Sequence, residues 1–373
     1  MAHAYTPGLR VTGRTRIHKT RRLPLKGEVV VAQGARLKAE DVVARTALPG
    51  NVKTVNVANL LGIPPADVPS CMLKREGDPV ADGEAIAQAK SLFGLFKSTA
   101  KANATGSLEA VSDVTGQVAI REPAIPVEML AYVDGTVAEI LPGEGVVMEA
   151  EGAYIQGIFG IAGENIGTLH LAVDRPDETV DAESLRDVEG KVVVVGAEVS
   201  YALIKKAEER GAKGLVAGGI SDADLRRILG FDLGVAITGS EDLSVTVITT
   251  EGFGRLPIAA KTFELLGKLE GKKASVNGAT QIRAGVMRPE IIVPHEEASI
   301  LGERQDLFAG GLDVGMTVRV IRQPYFGLLG TVSELPPELV PLETGSKVRI
   351  LKVRFQDGKE AVVPRANVEM IES

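Results

Sequence analysis

The sequence predicts a multidomain α+β chain with an all-β N-terminal domain, a central parallel α/β domain and a small C-terminal barrel. Three observations carry this. The chain has 373 residues, too many for one ordinary core at roughly 100–200 residues per domain. From Leu25 to about Leu171 short apolar runs alternate with glycine-containing turns, the pattern of a β barrel or sandwich. Beyond that point apolar runs alternate with amphipathic helical stretches, as in βαβ units.

The N-terminal segment, residues 1–24, reads as a basic arm. Residues 1–27 hold Arg10, Arg14, Arg16, Lys19, Arg21, Arg22 and Lys26 with no acid before Glu28; since the whole chain carries a net charge of −7, the remainder carries −14. Such a segment can contact nucleic acid, an acidic partner or the protein's own acidic surface. The stretch "VTGRTRIHKTRRLPL" alternates like a strand and contains Pro24, which argues against a transit helix. No apolar run approaches the ~18 residues needed to span a bilayer, and the first residues offer no apolar h-region, which argues against a secretory signal. The single cysteine, Cys71, excludes an internal disulfide framework and a cysteine-based zinc site. These features predict a cytoplasmic protein without a membrane contact.

Residues 25–175 contain the runs "GEVVVAQGARLKAEDVVA", "REGDPVADGEAIA" and "TGSLEAVSDVTGQVAIREPAIPVEMLAYVDGTVAEILPGEGVVMEA". Their repeated glycine-then-valine spacing resembles the barrel-sandwich hybrid fold of biotinyl and lipoyl domains and of modules in large RNA polymerase subunits. That resemblance would place an attachment lysine on an exposed hairpin, flanked by methionines in biotin carriers. Here Lys90 and Lys97 lie in "AQAKSLFGLFKSTAKANATG", without methionine neighbours and beside four large apolar residues. Both lysines are therefore expected to be unmodified.

Residues 185–295 form the expected α/β domain. "KVVVVG" reads as a buried strand, "SYALIKKAEERGAKG" as an amphipathic helix ending on glycine, and "SDADLRRILG" as a helix that Ser221 or Asp222 can cap. "LVAGG", "GVAIT" and "SVTVIT" are further strands, and "LPIAAKTFELLGKLEG" a third helix. In an open parallel sheet the loops "GAEVS", "GGISD", "TGSED" and "TEGFG" would gather at the carboxyl edge, the usual ligand crevice. The candidate ligand-binding residues are Glu198, Ser200, Asp222, Glu251 and Phe253, with Arg283 from the polar stretch "NGATQIRAGVMRPEIIVP". Capping is the commoner role for acids at such places. No loop spells a Walker or dinucleotide-binding motif, the histidines at 3, 18, 170 and 295 lack metal-ligand spacing, and no nucleophile motif occurs. No catalytic residue, metal site or cofactor is assigned.

A polar linker, residues 296–312, leads to residues 313–373, which carry "GMTVRVIRQPYFGLLGTVSEL" and "KVRILKVRFQDGKEAVVPRANVEMIE". With Gly315, Val318, Val320, Pro324, Tyr325, Phe326, Gly327, Gly330 and Val332 in order, this region resembles the KOW domain of NusG-type elongation factors. It departs from that pattern at Gln323 and in the acidic loop "ELPPELVPLETG". The resemblance implies an SH3-like barrel that recognises a protein or RNA. Arg319 alternates with Val318 and Val320, and Lys352 and Arg354 alternate with Val353 and Phe355, which predicts a cationic outer face. The candidate partner-binding residues are Arg319, Arg322, Tyr325, Phe326, Lys352 and Arg354. Residues 310–373 hold eight basic and eight acidic residues; this neutrality fits a protein partner at least as well as nucleic acid. The sequence thus points to a non-catalytic binding or assembly protein. Its rivals are an enzyme or accessory subunit with a small anionic ligand in the α/β crevice, and a self-assembling structural protein forming homo-oligomers.

Overall fold

The structure, a computed structural model, describes residues 9–91, 96–230, 239, 241–281, 287–295, 314–320, 324–325, 328–336, 339–341, 347–355 and 358–371. It is mostly β, built on one large mixed sheet and a C-terminal half-barrel. None of the helices described is long and apolar enough to cross a membrane.

The basic N-terminal segment is not a free arm. Val11–Arg22 is a strand, β1, whose inward positions Thr15, Ile17 and Arg21 are buried. The short strands β2 (Glu28–Val29), β3 (Arg36–Leu37), β4 (Val42–Leu48) and β5 (Val52–Asn56) follow, then the helices α1 (Val57–Leu61) and α2 (Val68–Cys71). Next come β6 (Pro79–Val80), β7 (Ala85–Ser91), β8 (Phe96–Lys101), β9 (Gly106–Val111), β10 (Gln117–Arg121) and β11 (Ile125–Leu130). They assemble into a three-stranded sheet β11-β4-β2, a four-stranded sheet β5-β10-β9-β6 and the hairpin β7-β8. The backbones of Lys90 and Lys97 are register partners in that hairpin, and its tip, 92–95, lies outside the described residues.

The chain then enters the large sheet with β12 (Gly135–Leu141), β13 (Gly145–Gln156), β14 (Phe159–Ile161) and β15 (Glu164–Leu171). It continues through β16 (Lys191–Val199), α3 (Tyr201–Glu209), β17 (Gly214–Ile220), α4 (Asp222–Leu229), β18 (Thr246–Phe253), α5 (Ala260–Lys268), β19 (Lys273–Asn277) and β20 (Glu290–Pro294). The order is β14-β18-β17-β16-β15-β19-β20-β13-β12-β3, with β1 on β13. Only β15 to β18 run parallel to one another, so the expected parallel sheet is the middle of a mixed one. Its strands are apolar on both faces, as parallel strands covered by helices must be: Val193 and Val195 pack toward α3 and α4, whereas Val192 and Val194 pack toward α5. The expected boundary between 175 and 185 cuts through this sheet, because β20 pairs with β13 from Gly152↔Pro294 to Gln156↔Glu290. The segment "GVAIT" lies outside the described residues.

The C-terminal strands are β21 (Thr317–Val320), β22 (Leu329–Glu334), β23 (Leu339–Pro341), β24 (Lys347–Phe355), β25 (Glu360–Pro364) and β26 (Val368–Ile371). They curl as β25-β24-β22-β21-β26 around Val318, Val320, Val332, Leu351, Val353 and Val363.

Candidate functional site

The strand register brings the expected crevice residues to one edge. Glu198 aligns with Gly219 and Gly252, and Val199 with Ile220 and Phe253. Apart from Glu198, the polar members already have local work. Ser200 Oγ accepts the Leu203 amide at 3.2 Å, capping α3, and Ser221 caps α4 through the Asp224 amide at 3.1 Å. Asp222 pairs with Arg226 one helical turn on, at 2.9 Å. Phe253 leans on Phe159 with ring centroids 5.2 Å apart. Arg283 lies outside the described residues.

The chain itself crosses the crevice. After β18 the segment Gly254–Ile258 folds back over the strand ends, its Gly254 amide donating to the Ile220 carbonyl at 2.7 Å and its Leu256 amide to the Ala197 carbonyl at 3.2 Å. A Cβ on Gly218 would stand 1.7 Å from the Leu256 carbonyl oxygen, and one on Gly219 2.1 Å from that of Gly254. The glycines of "GGISD" therefore admit the protein's own backbone, a close approach that only glycine permits.

The half-barrel meets this edge. Arg319, expected on the outer cationic face, is 6% exposed. It does leave the barrel core, but that face of β21 abuts β18: its Nη1 donates to the Glu251 carboxylate at 3.0 Å and to the Glu251 carbonyl at 3.1 Å. The other Glu251 carboxylate oxygen accepts the Ala259 amide at 3.1 Å. Lys352 pairs with Glu334, whose hydrogen bond raises the ammonium pKa, and Arg354 pairs with Glu360 at 2.8 Å. Tyr325 is 36% exposed and rests on Phe355, centroids 5.2 Å apart, with Leu328 and Leu329 exposed after it. Arg322 and Phe326 lie outside the described residues.

The third polar assembly takes the basic segment onto the protein's own acids, one of the three contacts its sequence allows, with partners the sequence did not assign. Along β1, Arg14 pairs with Glu151 (2.6 Å), His18 with Glu149 (2.8 Å), Lys19 with Glu290 (2.5 Å), Arg21 with Glu164 (2.6 Å) and Arg22 with Glu144 (3.2 Å). Gln156, Glu290, Asn277 and Glu164 form one cross-strand row over β13, β20, β19 and β15. Over this row Tyr154 donates its hydroxyl to Glu290 at 3.0 Å and Tyr132 does so at 3.4 Å. Tyr132 is buried at φ 69°, a left-handed conformation that a bulky residue adopts only when its surroundings enforce it. Burial, and then the Glu290 charge, push both phenols well above their ordinary range. They remain protonated donors and supply no base. The available signal was the alternation of cations along "RTRIHKTRR" and the acids of "EAE" at 149–151, but Glu164 and Glu290 lie too far along the chain for spacing to assign them.

Among the described residues no three histidine, cysteine, aspartate or glutamate side chains are grouped so as to hold a metal ion. No family model matches the chain, and no curated protein matches it either.

Proposed function

We propose that the protein is a non-catalytic binding or assembly factor whose C-terminal half-barrel, a KOW-type module, docks a protein partner through the turn around Tyr325. The observation that supports this is the fate of the module's cations. Arg319 is turned onto Glu251, while Lys352 and Arg354 are held by Glu334 and Glu360. Phosphate recognition draws on positive charge not already neutralised by the protein. What the described residues of the turn offer is apolar and aromatic: Tyr325, Leu328 and Leu329. An aromatic anchor ringed by such contacts is the usual makeup of a protein-binding hot spot. The basic strand β1 favours the same reading, since five of its side chains are matched by the protein's own acids. A lone cysteine suits the reducing cytoplasm in which we place the protein.

The test is retention of a native partner from host extract, with nuclease treatment and a salt series as separate arms. The expected partner survives both and is lost on Tyr325→Ala with the fold intact. Loss of the retained material to nuclease would replace this reading with an RNA-binding one.

A further inference from the structure

A cleft of about 820 Å³ lies beside the large sheet between the end of β15, the segment 172–187 and the start of β16. Its lining includes His170, Arg175, Arg186, Asp187, Lys191 and Arg255. Arg175 is matched by the carboxylates of Asp177 and Glu178, and the His170 ring hydrogen-bonds to Glu270. Arg186 is not so matched. Its Nη1 donates to the Leu185 carbonyl at 2.9 Å and to that of Glu183. Arg210, which follows α3 and is not itself part of the lining, donates its own Nη1 to the same Leu185 carbonyl, which is.

Two guanidinium groups thus converge on one neutral oxygen atom, and among the described residues no carboxylate pairs with either. A carbonyl oxygen has two lone pairs, so both bonds are feasible. One of them suffices to tie the turn after Ser184 to α3, and the negative end of the α3 dipole accounts for one cation there. The second adds like-charge repulsion that no ion pair among the described residues offsets. Lys191 and Arg255 add two more cations without a carboxylate among the described residues, against Asp187 as the single unmatched acid. On a protein with a net charge of −7, this is a local excess of positive charge around forked donors, the arrangement that suits planar, multidentate recognition of an oxyanion.

We infer that the Arg186–Arg210 pair is an anion-binding site that takes the phosphate or carboxylate group of a small ligand lying in this cleft. The cleft shares Arg255 with the segment Gly254–Ile258 but none of the strand-end residues Glu198, Ser200 and Asp222, and the site does not depend on the half-barrel's partner.

The test is calorimetric titration of the whole protein at low ionic strength with inorganic phosphate and, in a separate arm, with malonate. The variants are Arg186→Gln and Arg210→Gln, with Arg226→Gln on α4 as the control. One saturable site per chain is expected; whichever anion binds more tightly identifies the ligand group. Each cleft variant should weaken it by about tenfold or more, the loss of one charge-assisted hydrogen-bonding group, while the control leaves it unchanged. Arg186 is exposed, so its variant decides the matter should Arg210→Gln disturb α3. Absence of saturable binding by both anions, or binding that Arg186→Gln leaves intact, overturns the inference.

Discussion

Replacing Arg319 with methionine removes the guanidinium while keeping most of the side-chain volume, and it isolates what joins the half-barrel to the large sheet. The Arg319 and Glu251 side chains are 7% and 15% exposed and meet at 3.0 Å. At that separation and an effective dielectric of ~20, the attraction is about 5 kcal/mol before desolvation is subtracted. Removing one member of a buried pair costs roughly 3–5 kcal/mol, because the other charge stays behind. The low end applies here, since Glu251 keeps the Ala259 amide. A loss of about 3 kcal/mol corresponds to a shift of about a hundredfold in the docking equilibrium. Hydrogen exchange reads it directly: amides of Thr317–Val320 and Thr246–Phe253 should lose protection together, while those of β24 inside the half-barrel keep theirs. Glu251→Gln should behave alike, and the double variant should cost less than the sum of the two. If Arg319→Met changes protection at β18 by less than about 0.5 kcal/mol, the value of an exposed surface pair, the buried contact does not hold the two parts together.

Other outcomes follow from the same geometry. Lys19→Met should lower stability to urea by about 3 kcal/mol, because it leaves the buried Glu290 carboxylate without its countercharge and with only the Tyr154 and Tyr132 hydroxyls, whereas Arg22→Ala, whose pair with Glu144 is 59% and 41% exposed, should change it by at most about 0.5 kcal/mol. Burial pushes the Asp134 carboxyl up, but hydrogen bonds from Lys273 and the Ala39 amide, with the Lys273 charge, bring it below its ordinary value. Its contribution to stability is therefore complete above the unfolded carboxylate pKa and lost as pH falls through the lower folded value; urea midpoints measured from pH 6 downward should drop in that acid range, less so for Asp134→Asn. Gly218→Ala places a methyl group against the Leu256 carbonyl and should cost about 3 kcal/mol, visible as a large fall in melting temperature. Intact mass from the native host should show no biotinyl or lipoyl increment on Lys90 or Lys97.

Local patterns in the sequence carried the elements well where their cause is local. The unbroken valines of "KVVVVG" mark a strand covered on both faces, and they are buried against helices on each side. Ser221 before "DADLRRIL" reads as a cap and is one. Alternation also places Arg319 outside the barrel core, but it cannot say what covers that face; the covering residue, Glu251, is 68 positions away. The crevice failed for a related reason. The register delivers Glu198, Asp222 and Phe253 to one edge, yet the backbone of Gly254–Ile258 fills it. A glycine pair looks the same in sequence whether it receives a ligand or the chain's own backbone. The union of two expected domains through β13 and β20 has no local signature at all, since antiparallel partners here are well over a hundred residues apart.

That pairing also orders events in time. β1 has its hydrogen-bonding partner only once residues 145–156 exist, and the ion pair of Lys19 waits for Glu290. Contacts of such long sequence separation are slow to form because loop closure precedes any gain from them. During synthesis, at about 5–20 residues per second, the first strand therefore spends many seconds outside the ribosome without its neighbour. The cations on its outward positions, Arg16 and Arg22, oppose edge-to-edge association of an unpaired strand through that interval, as charge does on natural sheet edges. The charge that in sequence could meet nucleic acid, an acidic partner or the protein's own surface thus waits, during synthesis, for acids of its own chain.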